Sequence, residues 1–511
     1  MRRFWAIARL TALESLRSRF VVVFALALAV AIVALAVGVQ GDGTLTGQIQ
    51  SFLDYSVTLT QLLIGLLTVL LAAFVTTGDI RSKTVFTTVT KPVRSLVYVT
   101  GRWFGVVLVT ASMLAASMGA IHGLAHTLRQ RPTKVEREKA SRQLTPWEGD
   151  ADRYMVDNDI FAARIEIAPD PIPAEQIADQ ELNELFEREG KEKIIRQYLQ
   201  ISLAQKAQAR GDPEPTAEQI DRLAADPEIR RRALADIRKE YADMVRQGAD
   251  VVGPGQLMPV QFSDLHPPSD RPMQLRYRLQ AKKGQSLPGE VGIKGAWIVR
   301  RPEADGRERR GLRARSDAPD TASTIDLSPE MVTDDHRLLL AYRNDEANAA
   351  DVILKPGEIR LRYAVGGFAG NVVRAGAIIL VRLMFLAAVG VFCGTFISFP
   401  VACMVCLAIF LAGLMGDFTL EATKLGHLSQ RDALSYVSYG ITRGIFFVLP
   451  NLPIVHSPGG NLRDGLKIRW HAPDSDGGDG RTAAWTALRA AIVLTLAALI
   501  FRHRELARVQ V

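Results

Sequence analysis

Long apolar runs constrain the fold of this chain more than any other feature of its sequence. The first run, Phe20 to Val39, carries no charged side chain and has the length of about 20 residues with which an α-helix crosses the hydrocarbon core of a bilayer. It is longer than the apolar core of a secretory signal and has no small-residue cleavage site, so we expect it to remain in the mature protein. With the other runs it predicts six transmembrane helices, at 20–39, 59–77, 103–122, 375–398, 401–415 and 483–501.

A large polar region separates the third predicted span from the fourth. The 511 residues are 48% hydrophobic and 23% charged, a mixture typical of membrane helices joined to a sizeable polar domain. Residues 174–250 have helical periodicity, and Thr216 with Gln219 predicts a capping box at one helix start. Residues 257–365 alternate short apolar stretches with turn residues, which favours an antiparallel β-sandwich. The fold class is therefore a polytopic α-helical membrane protein with an inserted soluble α+β domain.

The predicted domain organisation follows from these boundaries. Its parts are an amphipathic helix at 1–19, spans one to three within 20–124, the insertion at 125–370, and spans four to six within 371–511. Residues 436–452 are apolar but broken by Gly and Pro, which is typical of a re-entrant or interfacial segment. The predicted strands are 258–262, 275–279, 296–299, 324–327, 338–342, 351–354 and 359–363. We expect Trp297, Tyr277, Tyr342 and Tyr363 to form the core of the sandwich rather than a carbohydrate-binding platform.

The distribution of basic residues predicts the orientation in the membrane. Lys and Arg cluster in the N-terminal segment, in residues 78–105 and in the C-terminal tail, whereas residues 40–58 contain none. With six spans, the three basic segments all lie on one side, and the positive-inside rule makes that side the cytoplasm. We therefore expect an inner-membrane protein with both termini cytoplasmic and the insertion outside. The net charge of +8 then indicates contact with membrane lipid, and the outer position of the insertion excludes nucleic acid as a partner.

Residues 78–105, GDIRSKTVFTTVTKPVRSLVYVTGRWFG, carry the most specific pattern in the chain. Their order of an acidic residue, basic residues, a Thr-rich strip, a KP-x-R element and a G-x-x-x-G helix entry resembles the permease subunit of ABC-2-type ABC transporters. The matching residues are Asp79, Arg81, Lys83, Thr84, Lys91, Pro92, Arg94, Gly101, Arg102 and Gly105. Arg102 stands where the family more often has Lys. The turn at 398–402 and the tail at 501–506 also resemble the family.

The resemblance implies a function and a set of partners. The stretch would form a coupling helix that docks on a separate ATP-binding subunit, and Lys91, Arg94 and Arg102 would offer charge to an acidic groove or to lipid phosphate. The alternative is a solvated basic loop. The permease would act as a homodimer, or as a heterodimer with a similar permease. ATP and Mg²⁺ would be bound by the partner, because Gly366 to Gly370 lack the Lys of a phosphate-binding loop. We therefore expect no enzyme activity and no cofactor in this chain.

The arginine, histidine and cysteine residues in or near the predicted spans have simpler explanations than a catalytic or metal site. Arg382 and Arg489 lie inside predicted spans, where arginine is costly, and either snorkel, pair helices or face a substrate. His122 and His126 have the spacing of metal ligands but no apparent third ligand, so no metal site is predicted. Cys403 and Cys406 form a CxxC in an apolar run, where we expect two small helix residues.

Two other classes of protein compete with the permease interpretation. A membrane-anchored sensor or scaffold, whose β-sandwich binds a partner or a glycan, needs one or two spans rather than six. A membrane-embedded enzyme needs a complete catalytic set at one depth, such as paired His with a third ligand, a Ser/His set or clustered carboxylates, and the sequence shows no such set. No catalytic residue is therefore predicted.

Overall fold

A computed structural model describes residues 2–81, 94–133, 151–171, 190–210, 216–248, 250–281, 292–302, 308–348, 350–415, 458–468 and 479–508, together with 179, 182, 183, 185–188, 440 and 444. The chain divides into two compact units. Unit 1 comprises Met1–Ile165 with Ala364–Val511, and unit 2 comprises Glu166–Tyr363. The first is a helical bundle, and the second contains helices and antiparallel sheets, so the predicted combination of apolar helices with a separate sheet domain is confirmed.

The α-helices are α1 (Arg2–Leu16), α2 (Arg19–Gly38), α3 (Leu45–Arg81), α4 (Ser95–Arg129), α5 (Ala151–Met155), α6 (Lys191–Arg210), α7 (Ala217–Ala225), α8 (Pro227–Gly248), α9 (Phe368–Gly394), α10 (Phe399–Leu414), α11 (Pro458–Arg463) and α12 (Asp479–Arg508). Among the described residues, five of these helices are long and apolar enough to cross a membrane: α2, α3, α4, α9 and α12. The predicted fifth span corresponds to α10, which is apolar but has 16 residues. The apolar helices mark the chain as a membrane protein.

Helix α3 begins earlier than the sequence predicts. The second span is predicted only from residue 59, but residues 45–58 form the first turns of this helix, with Ile49, Phe52 and Leu53 fully buried. The start is capped from a distant part of the chain, because the Asp152 carboxylate accepts hydrogen bonds from the backbone N–H groups of Leu45 and Thr46 at 2.7 and 2.8 Å. A carboxylate at a helix N-terminus is favourable. The periodicity of the apolar face was present in the sequence, whereas this cap was not visible there.

Residues 458–468, which begin with α11, lie beside strand β1 (Ala162–Ile167) in unit 1. The Arg164 N–H donates to Gly465 O and the Lys467 N–H donates to Arg164 O, at 2.8 and 2.7 Å. The side chain of Asn371, at the start of α9, donates to Leu466 O and accepts from the Ile468 N–H. These bonds satisfy buried backbone groups and hold residues 458–468 against the bundle.

Unit 2 contains eleven described strands or parts of strands in three sheets. The strands are β1 (Ala162–Ile167), β2 (Val251–Val252), β3 (Leu257–Phe262), β4 (Met273–Arg278), β5 (Gln280–Ala281), β6 (Ile293–Pro302), β7 (Glu308–Asp317), β8 (Ala322–Leu327), β9 (Leu338–Asn344), β10 (Val352–Ile353) and β11 (Arg360–Gly367), of which β1 and β11 carry the chain into and out of the unit. The sheet orders are β1-β11-β4-β8, β2-β10-β5 and β3-β9-β6-β7. All strand pairs with a defined register are antiparallel.

Large aromatic side chains form the core of unit 2, as predicted. Trp297, Tyr277, Tyr342 and Tyr363 are at most 2% exposed. The Trp297 ring on β6 contacts Tyr277 on β4 at 5.0 Å and Tyr342 on β9 at 5.3 Å between centroids, so the two four-stranded sheets pack through these rings. The helical part forms its own cluster around Ile195, Ile220 and Ile237. The predicted capping box is confirmed, since the Thr216 N–H donates to Gln219 Oε1 at 3.2 Å.

Candidate coupling site

The structure describes both ends of the predicted coupling stretch. At one end α3 continues through Asp79 to Arg81, and at the other α4 begins at Ser95, with Arg94 extended and exposed before it. Lys83, Thr84, Lys91 and Pro92 lie outside the described residues. The stretch therefore joins α3 to α4, the two long helices between which the sequence placed it.

The G-x-x-x-G residues in the first turns of α4 pack against the N-terminal amphipathic helix α1. We call such a close helix contact at a pair of glycines a seam. A Cβ atom added at Gly101 would lie 2.9 Å from the Ile7 side chain, and one added at Gly105 would lie 2.5 Å from Thr11 Cβ and 2.7 Å from Ala8 O. No side chain fits in this space. The two glycines therefore let the backbones of α1 and α4 approach closely, as small residues do in membrane helix pairs.

Arg102, between these glycines, is buried against α1. Its Nη1 donates to Glu14 Oε2 at 2.8 Å and to Thr11 Oγ1 at 3.2 Å, and the residue is 6% exposed. The guanidinium also lies 5.7 Å from the centre of the Tyr98 ring, which in turn stacks on Phe501 of α12. The charge of Arg102 is thus held within this chain rather than presented to a partner, and Arg94 is the exposed cation among the described side chains of the stretch.

Sequence reasoning missed Glu14 and Thr11 as parts of this site. Glu14 lies 88 positions from Arg102, and nothing local links the two. One signal was available: Glu14 is the only acidic residue in the otherwise basic segment 1–19. A single carboxylate among basic residues singles out Glu14 but does not identify its partner.

A second pair of glycines joins α3 to α9 in the same way. A Cβ at Gly390 would lie 2.6 Å from Ala72 Cβ, and one at Gly394 would lie 2.8 Å from Thr76 Cβ. Beside this seam, a cavity of about 720 Å³ lies next to the end of α3, lined mainly by apolar groups that include Phe20, Phe74 and Phe399. Its walls suit a hydrocarbon chain better than a polar ligand.

The intramembrane arginines contact neighbouring groups of the bundle. Arg382 Nη1 on α9 donates to Gln61 Oε1 on α3 at 3.4 Å, a contact that pairs two helices. The Arg489 guanidinium lies 5.7 Å from the centre of the Trp485 ring, four residues earlier on α12. Both contacts fit the helix-pairing and snorkelling interpretations of these residues.

The paired histidines lie in an aromatic cluster. The rings of His122 and His126 are 4.7 Å apart, and both contact Phe368. Within the described part of the chain, no group of three or more potential ligands could hold a metal ion. Cys393 and Cys406 are buried and Cys403 is half-buried, and all three are free thiols in α9 and α10.

Comparisons of this chain with protein-family models, with curated proteins and with solved structures found no match.

Proposed function

We propose that this chain is the membrane-spanning permease subunit of an ABC-2-type transporter, driven by ATP hydrolysis in a separate ATP-binding subunit. It would work as a homodimer, or as a heterodimer with a similar permease, in the inner membrane with both termini cytoplasmic. The sequence of residues 78–105 motivates the proposal, and the helix packing around that stretch supports it.

The observation that carries the proposal is the seam between α1 and α4. A push on residues 82–93 would act on the end of α3 and the start of α4, and α4 is fixed to α1 through Gly101, Gly105 and the Arg102–Glu14 ion pair. The second seam, at Gly390 and Gly394, fixes α3 to α9. Force applied at this loop would therefore move α1, α3, α4 and α9 together. A loop whose only role is to carry solvated charge would need no such fixed helix contacts at its two ends.

The experiment is co-purification of the chain with its ATP-binding subunit, followed by measurement of ATPase stimulation. Lys91→Glu with Arg94→Glu should abolish both complex formation and stimulation, because the charges that would meet an acidic groove are reversed. Arg231→Glu with Arg232→Glu is the matched control, since it changes the same number of charges at exposed positions of α8. Survival of the complex and of stimulated ATPase in the first variant would refute the coupling assignment.

The orientation has a separate test. Protease added outside intact spheroplasts should cut the chain within unit 2 and leave the 78–105 stretch intact. Complete protection of unit 2 would reverse the proposed topology, whatever the outcome of the coupling experiment.

A further inference from the structure

The cavity beside the end of α3 lies where four helices of unit 1 begin or end. Its volume is about 720 Å³, and its walls come from the first turns of α2 and α10, the last turns of α3 and α9, and the short link between α9 and α10. The lining residues include Phe20, Thr77, Gly78, Gly394, Phe399 and Pro400. We call this space the end cavity, because it lies at the ends of these helices rather than at their middles.

The walls of the end cavity are apolar and largely aromatic. The Phe20 ring contacts Phe74 at 5.7 Å between centroids, and Phe74 contacts Phe399 at 5.9 Å, so rings from α2, α3 and α10 lie in a row. Phe20 and Phe74 are nevertheless 37% and 36% exposed. No charged side chain is among the described residues that line the cavity, and the Thr77 hydroxyl already donates to Ala73 O at 2.7 Å. The volume is in the range of ligand sites.

The helices around the end cavity select a hydrocarbon chain as its occupant. Since α2, α3 and α9 are long and apolar enough to cross a membrane, a cavity at their ends borders the acyl chains of the bilayer. An empty space would leave the atoms of its walls without contact partners. Water needs two to four polar partners, which these walls do not offer in number. An acyl chain would fill the space with dispersion contacts and desolvate no polar group.

Two exposed arginines next to the end cavity select the headgroup. Arg19 directly precedes Phe20 and Arg17 lies three residues before it, and the uncharged run of α2 begins immediately after Arg19. Consecutive Cα atoms are about 3.8 Å apart, so the long side chains of both arginines can reach a phosphate at the start of α2. Guanidinium groups bind phosphate with two parallel hydrogen bonds. Cations followed by an apolar cavity match the order of phosphate and acyl chain in a phospholipid.

We propose that the end cavity binds an acyl chain of an anionic phospholipid, and that Arg17 and Arg19 bind the phosphate of the same molecule. The acyl chain lies against the aromatic row and against the last turn of α3, where the predicted coupling stretch begins. This site does not depend on the proposed transport function, because it requires only that these helices cross a membrane.

Photocrosslinking tests the position of the lipid. The full chain is placed in nanodiscs of phosphatidylcholine that contain a small amount of phosphatidylglycerol with a diazirine in its acyl chain, and the labelled peptides are mapped by mass spectrometry. Labelling should be strongest in residues 74–78 and 396–400. The exposed Val30 and Val33 of α2 are the reference for lipid that only surrounds the bundle. Unlabelled phosphatidylglycerol should compete, whereas glycerol 1-phosphate, which has no acyl chain, should not.

A variant that fills the end cavity tests the acyl-chain site. Gly78 lines the cavity, and an added Cβ there meets nothing within 4 Å, so Gly78→Trp adds a large side chain without a clash at its base. Native mass spectrometry should show affinity for phosphatidylglycerol reduced about tenfold or more, since each CH₂ group expelled from an apolar site costs about fourfold. Gly38→Trp, at the other end of α2, has the same open space and should bind as the parent does.

A second filling variant guards against misfolding. Ser398 also lines the cavity, and its side chain makes no capping hydrogen bond to α10, so Ser398→Trp replaces Gly78→Trp if the latter lowers the melting temperature strongly.

A charge variant tests the headgroup site. Arg17→Gln with Arg19→Gln should lower the affinity for phosphatidylglycerol about 25-fold, towards that for phosphatidylcholine, since each arginine near an anionic surface contributes about fivefold. The control Arg2→Gln with Arg9→Gln removes the same charge at exposed positions of α1 and should keep the preference for anionic lipid.

Four results would overturn the proposal. The first is labelling of the cavity residues no stronger than that of Val30 and Val33, and the second is parent-like affinity in a folded variant with a filled cavity. The third is displacement of the lipid by glycerol 1-phosphate, which would assign binding to the headgroup alone. The fourth is equal affinity of the parent for phosphatidylglycerol and phosphatidylcholine, which would leave Arg17 and Arg19 without a part in binding.

Discussion

The two units of this chain differ in where their closest packing contacts are made. In unit 1, two pairs of helices approach most closely at glycines, at Gly101 and Gly105 between α1 and α4 and at Gly390 and Gly394 between α3 and α9. In unit 2, the core is built around the ring of Trp297 and its aromatic neighbours. Lipid is as apolar as a leucine side chain, so burial gives no driving force between membrane helices, and close backbone contact takes its place. In water, burial of large aromatic surface stabilises a fold directly.

This contrast predicts that the bundle is most sensitive to added volume. Gly105→Leu should separate α1 from α4, because a Cβ alone would lie 2.5 Å from Thr11 Cβ and 2.7 Å from a backbone oxygen that cannot move aside. We expect a loss of about 3 kcal/mol or more in the free energy of unfolding, at the upper end of overpacking costs. Thermal unfolding in detergent measures it.

Gly119→Leu on the same helix is the control, since an added Cβ there meets nothing within 4 Å. It should change the melting temperature little. Equal losses in the two variants would show that α4 tolerates no large residue anywhere, and the seam would have no special role.

The second prediction concerns the charge inside the α1–α4 seam. Glu14→Gln removes the carboxylate that accepts from Arg102 and should cost about 2 kcal/mol. This is less than the 3–5 kcal/mol typical of a fully buried pair, because the Glu14 side chain is 43% exposed. Arg102→Met with Glu14→Gln should cost less than the sum of the single changes, since no buried charge then lacks its partner. Additive losses in this double-mutant cycle would mean that the two residues do not interact in solution.

The sequence predicted the presence of long apolar helices and the aromatic core, but not where every helix begins, and it predicted the contacts between distant residues poorly. The apolar run at 20–39 sufficed for α2, because the length of a span is a local property. The first turns of α3 were missed, since the Asp152 that caps them is 107 positions away from Leu45. Strand β7 was also missed, because its alternate positions hold Arg and Gly rather than β-branched residues. The burial of Arg102 depended on Glu14 and could not be inferred from the motif alone.

The smallest expected effect at neutral pH is in the core of unit 2. The Tyr277 hydroxyl donates to Asp317 Oδ2 at 2.5 Å, and Asp317 also contacts Arg315, so Tyr277→Phe should cost only about 1 kcal/mol at pH 7. The change should have a larger effect in alkali. Burial, reinforced by the hydrogen bond to Asp317, raises the pKa of Tyr277 above its usual value of 10, and burial likewise raises the pKa of Tyr342.

The sign of the pH dependence follows from proton binding. Above pH 10 the unfolded chain loses the two tyrosine protons while the folded unit retains them, so the stabilisation is complete below pH 10 and is lost as pH rises towards the folded pKa values. Each tyrosine should contribute a slope of about 1.4 kcal/mol per pH unit, and Tyr277→Phe should remove one of the two slopes.

Thermal unfolding followed by near-ultraviolet circular dichroism between pH 8 and pH 12 measures this slope. Tyr154→Phe, at an exposed tyrosine of unit 1, should leave the alkaline slope of unit 2 unchanged. If both variants retain the parent slope, Tyr277 loses its proton in the folded unit as readily as in the unfolded chain. The core of unit 2 is then less well closed to water than its packing indicates, and its contrast with the bundle is weaker.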